Sequence, residues 1–454
     1  MQKNKEHAVA KVVIIGAGLT GLSVAYHLEK NGFFDYQIFE KESEIGGLCR
    51  SISQDGFTFD FTGHFLHCNN SYFENFLEHV VGKKEFNTVT RKSFIFSHNV
   101  HTHYPFQTNL YGLPTDVISD CVTGFIDRPQ SQQPKNYHEW VLTHFGEGFG
   151  KHFFFPYQKK IFCTDPQKLA HSWTGRFVPS TTFKQIIFGA LINKGEEKIG
   201  YNATFLYPKK GGISLLIKKL QKKLTVPIKK NFYVDTVDLQ TKRITFSNGH
   251  TEPFTELIST MPLNILLQAI QDRATTAFHT VHKKLQCTSV LNINLGIARK
   301  NLTEKSWIYY PEKKFPFYRI GFPHTFCKNM TPTGCSSLYA EVGYLNKTEA
   351  HAEKKIDEVL QHIKTLFGFS EKEIVTKKIL HLAHAYVIYN GWREKNLHRL
   401  LAQLTEDGIH SVGRYGAWKY ASMQEAIIDG KEVAEKIVRQ APTRSRKKPY
   451  EKFL

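Results

Sequence analysis

The sequence predicts an α/β fold, and three observations within residues 11–50, KVVIIGAGLTGLSVAYHLEKNGFFDYQIFEKESEIGGLCR, carry that prediction. Val12 to Ile15 is a run of β-branched residues, as a buried parallel strand requires. Gly16, Gly18 and Gly21 follow in G-x-G-x-x-G spacing and lead into Leu22 to Lys30, where Leu22, Ala25, Tyr26 and Leu28 recur at helical intervals. A second short strand, DYQIFEK, then brings an acid, Glu40, 19 residues beyond Gly21. Together these form a Rossmann-type unit, and each part has a physical task in holding a dinucleotide. The first glycine makes a tight turn, the second lets backbone approach a pyrophosphate, the third lets helix pack on strand, and the helix N-terminus supplies partial positive charge. Glu40 is placed to hydrogen-bond a ribose.

At 454 residues the chain is long enough for two or three domains of about 100–200 residues each. With 41% hydrophobic and 13% aromatic residues and no repeat, it has the material for a sizeable core. The longest apolar runs, Val12 to Ile15 and Leu257 to Ile270, are too short or too interrupted for the ~20 residues of a spanning helix. MQKNKEHAVAK has no apolar stretch leading to a cleavage site, so a cytoplasmic location is expected. Seven scattered cysteines make neither a disulfide framework nor a CxxC pair, and reduced thiols, mostly in the core, are expected. The 22 histidines include no HExxH and no Cys/His quartet, so no metal site is expected, and the lack of G-x-S-x-G argues against a hydrolase.

The net charge of +19 fits an anionic partner: nucleic acid, an anionic membrane surface or a phosphorylated substrate. No nucleic-acid-binding signature accompanies the charge, which sets the first aside. The densest cluster, RQAPTRSRKK (439–448), opens a basic C-terminal tail, 441–454. It reads as a solvated end or as a loose attachment to an anionic leaflet.

The residues after Glu40 discriminate between cofactors that share such a socket. KESEIGGLCRS puts a glycine doublet, Gly46 and Gly47, and a base, Arg50, just beyond the ribose acid. This resembles the extended FAD signature of the superfamily that unites amine oxidases, protoporphyrinogen oxidases and UDP-galactopyranose mutases. The resemblance implies FAD as the cofactor, with the doublet against its phosphates and ribityl chain and Arg50 assisting. It further implies a discontinuous Rossmann-type FAD-binding domain with an inserted α+β substrate domain. On that layout residues 1–95, 200–275 and 378–440 form the FAD-binding domain, and 96–199 with 276–377 the substrate side.

Within the first of these, NFYVDTVDLQ (231–240) and RITFSNGHTEPFTELISTMP (243–262) alternate as strands around an Asn248-Gly249 turn, and Met423 to Val438 has the pattern of an amphipathic helix. On the substrate side, residues 137–162, YHEWVLTHFGEGFGKHFFFPYQKKIF, carry aromatics at helical spacing, and FFF at 153–155 reads as packing rather than as a substrate platform. SVLNINLGIARK and SWIYYPEKKFPFYRIGFP read as strands, and PQSQQP (129–134) as a loop.

Within that superfamily the chain looks most like UDP-galactopyranose mutase, and five stretches carry the likeness. FTGHFLHCNN (61–70) is similar to the loop that sets a glycine and a histidine, here Gly63 and His64, against the flavin ring. YPFQTNLYGLP (104–114) resembles a Tyr-Pro-x-x-x-Asn segment. WTGRFVP (173–179) is similar to the stretch with a substrate-side arginine, here Arg176, and WIYYPEKKFPFYR (307–319) to the stretch with a phosphate-contacting tyrosine and a second arginine, here Tyr309 and Arg319. GRYGAWKY (413–420) resembles the stretch with a flavin-side arginine, Arg414, and a phosphate-contacting tyrosine, Tyr420; Tyr386 joins Tyr309 and Tyr420 on the substrate side. Arginine forks and tyrosine hydroxyls are suited to phosphate oxygens and to a departing diphosphate. The implied activity is interconversion of pyranose and furanose forms of an NDP-sugar such as UDP-galactose, through an adduct between flavin N5 and the sugar, in polysaccharide synthesis. It needs a reductant for the flavin but makes no net redox change. The sequence departs from the mutases after Tyr420, where their Val-x-Asn-Gln-Asp-His-Ser run is replaced by ASMQEAIIDG. That shortened loop is closer to the oxidases, which leaves open an FAD oxidoreductase that removes a hydride from its substrate. A non-catalytic flavoprotein held on a membrane or nucleic acid is the third reading.

Overall fold

The computed structural model describes residues 11–130, 133–193, 203–271 and 280–441. Val12–Ile15 (β1) is buried throughout because Val12 and Ile14 pack into one core and Val13 and Ile15 into another, and it has a parallel neighbour on each side. Leu19–Lys30 (α1) follows, and then Tyr36–Glu40 (β2). The parallel sheet has five strands in the order Ile409–Ser411, Glu256–Ser259, β1, β2, Ile228–Lys230. Its strands thus come from three distant parts of the chain, as the predicted discontinuous α/β architecture requires. The C-terminal helix Met423–Gln440 covers α1, and their close approach depends on Gly430, where a Cβ would lie 2.6 Å from that of Ser23.

Two mostly antiparallel sheets, each with one parallel pair, and two two-stranded ribbons lie beyond the parallel sheet among the described residues. Val234–Asp238, Arg243–Phe246 and Thr251–Pro253 form a meander with Ile270–Gln271 at its other edge. Its turn uses Gly249 at φ +81°, which donates its N–H to Phe246 O, while Asn248 Oδ1 accepts from His250 N, the reason for Asn-Gly there. The seven-stranded sheet runs Ile374–Leu382, Ser289–Ile297, Ser336–Tyr344, Arg319–Gly321, Trp307–Tyr309, Ser93–Ser97, Val100–His103. The boundaries expected at 95 and 378 fall inside two of these strands. Ser93–Ser97 and Ile374–Leu382 are hydrogen-bonded along their length in this sheet. All seven cysteines are free, but only Cys49, Cys121 and Cys327 are fully buried. Of PQSQQP, residues 131–132 lie outside the described residues, as do 442–454 of the basic tail.

The aromatic segment forms the helix Tyr137–Phe149, a π-helical turn Gly150–Phe154 and the helix Phe155–Phe162. Gly146, at φ +83°, bends it against Thr115–Ile126. A Cβ there would lie 1.9 Å from Gly124 O, and one on Gly148 would lie 2.1 Å from Asp120 O, so only glycine permits this crossing. Among the described residues no helix is long and apolar enough to cross a membrane.

Candidate functional site

At the C-terminal edge of the parallel sheet, the chain leaves β1 through Gly16 at φ +97° and enters α1 behind Gly18, which caps the helix without a side-chain hydrogen bond. The first-turn N–H groups of α1 are therefore available to an anion. A Cβ on Gly21 would lie 1.9 Å from Gly16 O, which is the close helix–strand contact expected of the third glycine. Gly46 and Gly47, both at positive φ, lie against this turn: Gly46 N donates to Ala17 O at 2.9 Å, and the Cα of Gly47 is 3.8 Å from where a Cβ on Gly18 would be. Arg50 donates from Nε to Gly47 O at 2.8 Å and lies 4.5 Å from the Phe61 ring. Glu40 is buried at the end of β2, accepting from Ala17 N at 2.8 Å and Glu42 N at 3.0 Å. Two of about four acceptor sites on a carboxylate are thereby used, which leaves capacity for ribose hydroxyls.

A second group of residues surrounds the far end of this crevice. Gly63 is required by Tyr339, whose hydroxyl would lie 2.2 Å from a Cβ. His64 is next to it, and burial first, then the charges of Arg414 and Arg319, push its pKa down to about 4, so the ring is neutral. Arg414 donates to Ala421 O and Ala385 O at 2.8 and 3.0 Å and lies 4.5 Å from the Tyr420 ring. His64 Nδ1, Tyr339 Oη and Arg414 Nε are buried without a partner within the protein. Such orphaned atoms are uncommon in a folded chain and fit a polar heterocycle at this point. The phosphate cradle, the ribose acid and this polar cluster together fit FAD.

The substrate-side residues line a cavity of about 180 Å³. Of a ladder of rings, Phe153 and Tyr157, 5.3 Å apart, and Tyr386 and Tyr420, 6.1 Å apart and nearly parallel, form part of its wall, while Phe106 and Tyr318 stand behind them in the core. Gln107 and Gln158 line the cavity as well, and the Tyr386 and Tyr420 rings of its wall lie 5.7 and 4.5 Å from the Arg414 guanidinium. Phe153 and Phe154 also line the cavity, so the residues expected to serve only as packing do both. Tyr310 and Tyr318 are core residues, and Tyr309 borders the cavity. Tyr389, another lining residue, accepts the Tyr420 N–H at 2.8 Å.

Arg319 differs from the sequence expectation. Its guanidinium is held by Glu341 through two 2.8 Å hydrogen bonds, with Glu341 fully buried directly opposite on the next strand. The fork expected to meet substrate is thus already engaged by a carboxylate, which the sequence reading did not include. Arg176 belongs to the turn Thr174–Phe177, and its side chain lies outside the described residues; neighbouring Trp173, Phe177, Val178 and Pro179 line the cavity. The short connection after Tyr420 has a local cause. Ser422 and Glu425 form a capping box that starts the C-terminal helix two residues past Tyr420. No metal-ligand cluster is found among the described residues.

Burial also sets an acid limit. His27, hydrogen-bonded to Ser23 O and Tyr72, His64, His67, His101 and His384 are each pushed down to about 4, first by burial. Between pH 6.5 and 4 the unfolded chain binds protons that these rings refuse, so their stabilisation is present at neutral pH and is lost as pH falls. Asp60, pushed up to about 6 by burial, acts oppositely over part of that range. Five histidines against one aspartate leave about four protons, or at most about 5 kcal/mol per pH unit. The urea midpoint is expected to drop steeply between about pH 6 and 5; a flat profile there would contradict these protonation states.

Known proteins resemble this chain. A coproporphyrinogen III oxidase from Staphylococcus aureus is 24% identical over 481 aligned positions, covering 94% of this chain and 98% of that protein. A mitochondrial protoporphyrinogen oxidase from Nicotiana tabacum is 41% identical over a shorter stretch of 58 residues, 13% of this chain and 11% of that protein. Among solved structures, a reduced UDP-galactopyranose mutase superposes with a TM-score of 0.89 at 27% identity, covering 98% of this chain and 97% of that one. The family model for flavin containing amine oxidoreductases matches residues 19–438, from the first residue of α1 almost to the end of the last helix. The chain therefore belongs to the flavin containing amine oxidoreductases, a flavin-dependent enzyme superfamily, and its cofactor is FAD.

Proposed function

We propose that this flavoprotein binds an NDP-sugar in the aromatic cavity and isomerises it between pyranose and furanose forms. The observation that carries the reading is the composition of the cavity lining. Flat rings and the amides of Gln107 and Gln158 suit a nucleobase, and the tyrosines beside Arg319 and Arg414 suit phosphate oxygens next to the flavin site. The likeness to a UDP-galactopyranose mutase over nearly the whole of both chains supports the same reading. Bound, reduced FAD supplies the nucleophilic chemistry. The residues of this chain hold the nucleotide, exclude water with their rings and keep His64 neutral beside two guanidiniums.

One observation favours a second reading. With Glu341 on its fork, Arg319 contributes little net positive charge, so the described lining is nearly neutral, as an uncharged substrate of an FAD oxidoreductase would prefer. The full-length likeness to a coproporphyrinogen III oxidase independently supports oxidoreductase chemistry. Both are tested by reducing the FAD-loaded protein with dithionite under anaerobic conditions, adding UDP-galactofuranose and following UDP-galactopyranose by chromatography. Conversion that stops on reoxidation is the expected result. No conversion by reduced, flavin-loaded protein, together with substrate-dependent oxygen uptake in a screen of porphyrinogens and amines, would replace the mutase with the oxidase.

A further inference from the structure

Residues 203–234 contain eight lysines and no Asp, Glu or Arg. The fold turns this bias into a surface. Lys209 and Lys210 are exposed beside Lys83 and Lys84, because Lys209 N bonds to Glu85 O at 2.8 Å. The helix Ser214–Gln221 buries Leu216, Ile217 and Leu220, with Ile217 against Gly46, so helical periodicity turns Lys218 outward, and Lys222 just beyond the helix is also exposed. Lys230 closes the edge strand of the parallel sheet, and Tyr233 beyond it is 51% exposed.

Among the described residues none of Lys209, Lys210, Lys218, Lys222 and Lys230 takes part in an ion pair. Of the neighbouring acids, Glu78 accepts the Lys83 N–H and Glu42 pairs with Lys41. The C-terminal helix ends on the same side. It runs alongside α1 in the same direction, Ser23 bonding to Ile427 O and Lys30 and Lys431 meeting on the Tyr72 ring, while Glu29 next to Lys30 holds Thr225 N just after the lysine helix. From Ala441 at that end the sequence continues through Arg444, Arg446, Lys447 and Lys448.

We infer that this lysine face is a docking surface for an anionic phospholipid bilayer. The face offers point charges on flexible stems and one interfacial tyrosine, which suit a diffuse layer of lipid phosphates and carboxylates. Recognition of nucleic acid draws on arginine forks and rows of stacking rings, and residues 203–234 supply no arginine. No described helix is able to cross the bilayer, so the attachment is peripheral and screened by salt.

The test uses the full FAD-loaded chain and sedimentation with phosphatidylcholine vesicles, either pure or containing about 30% phosphatidylserine. Binding to the anionic vesicles alone is expected, with loss of binding when salt is raised from about 0.1 to 0.5 M. Joint Lys209→Gln, Lys210→Gln, Lys218→Gln and Lys222→Gln substitution is expected to weaken it at least about tenfold with an unchanged flavin spectrum. Should that variant lose flavin, Lys83→Gln, Lys84→Gln and Lys230→Gln together are expected to weaken binding in the same direction. Absence of binding to anionic vesicles, undiminished binding by a folded variant, or capture of single-stranded RNA in place of vesicles would each overturn the inference.

Discussion

Glu341→Gln is expected to destabilise the protein by about 3–5 kcal/mol, the cost of leaving a buried charge without its partner. Glu341 is fully buried, and both its oxygens receive the Arg319 fork at 2.8 Å, so the amide replaces one acceptor with a donor facing a cation. The row continues on either side, with Tyr309 opposite Arg319 and Asn292 opposite Glu341 across the sheet, which offers the arginine no other carboxylate. Paired removal, Arg319→Met with Glu341→Leu, is expected to restore most of the stability, because two apolar groups replace two desolvated charges. It should still lose nucleotide binding if the cavity acts as proposed. Thermal and urea unfolding, with UDP titration of each variant, measure both effects. A single variant as stable as the parent would show that the pair is solvated rather than buried.

The second large effect separates two glycines of one motif. Gly18 has φ −74° and ψ −177°, a conformation open to any residue, and a Cβ there meets only Gly47 Cα at 3.8 Å. Gly18→Val is therefore expected to fold with near-parental stability yet to purify without FAD, since its methyls occupy the approach of the pyrophosphate to the helix. Gly21→Val places Cβ 1.9 Å from Gly16 O, inside the protein's own packing, and is expected to cost about 3 kcal/mol or more in folding itself. The assay is flavin absorbance per polypeptide beside the unfolding midpoint. Stoichiometric FAD in a folded Gly18→Val protein would move the phosphates elsewhere.

How far the sequence revealed this molecule depended on how local the physics was. β1, α1, β2 and the Asn248-Gly249 turn follow from residues within a few positions of one another, and their bounds were legible to within a few residues. Glu341 was not, because its partner is 22 positions away and only the strand register sets them opposite. The edges drawn at 95 and 378 fall inside strands for the same reason: Ser93–Ser97 pairs with Trp307–Tyr309, 214 residues on, and Ile374–Leu382 with Val290–Ile297, 77 to 92 residues back. Tyr157 and Gln158 were visible only as part of an aromatic run. Nothing in their spacing showed which of those rings would border the cavity, since a turn of unusual pitch intervenes.

That turn determines the cavity wall in a further way. An α-helix advances about 100° per residue, and a π-helical turn inserts one residue without lengthening the path, which rotates everything downstream by about that angle. Tyr157, Gln158 and Ile161 follow Gly150–Phe154 and line the cavity, whereas Phe149 precedes it and points into the core. The wall of the cavity is thus a matter of phase. One residue removed between 150 and 154 would turn Tyr157, Gln158 and Ile161 away together, changing the cavity without changing any of those side chains.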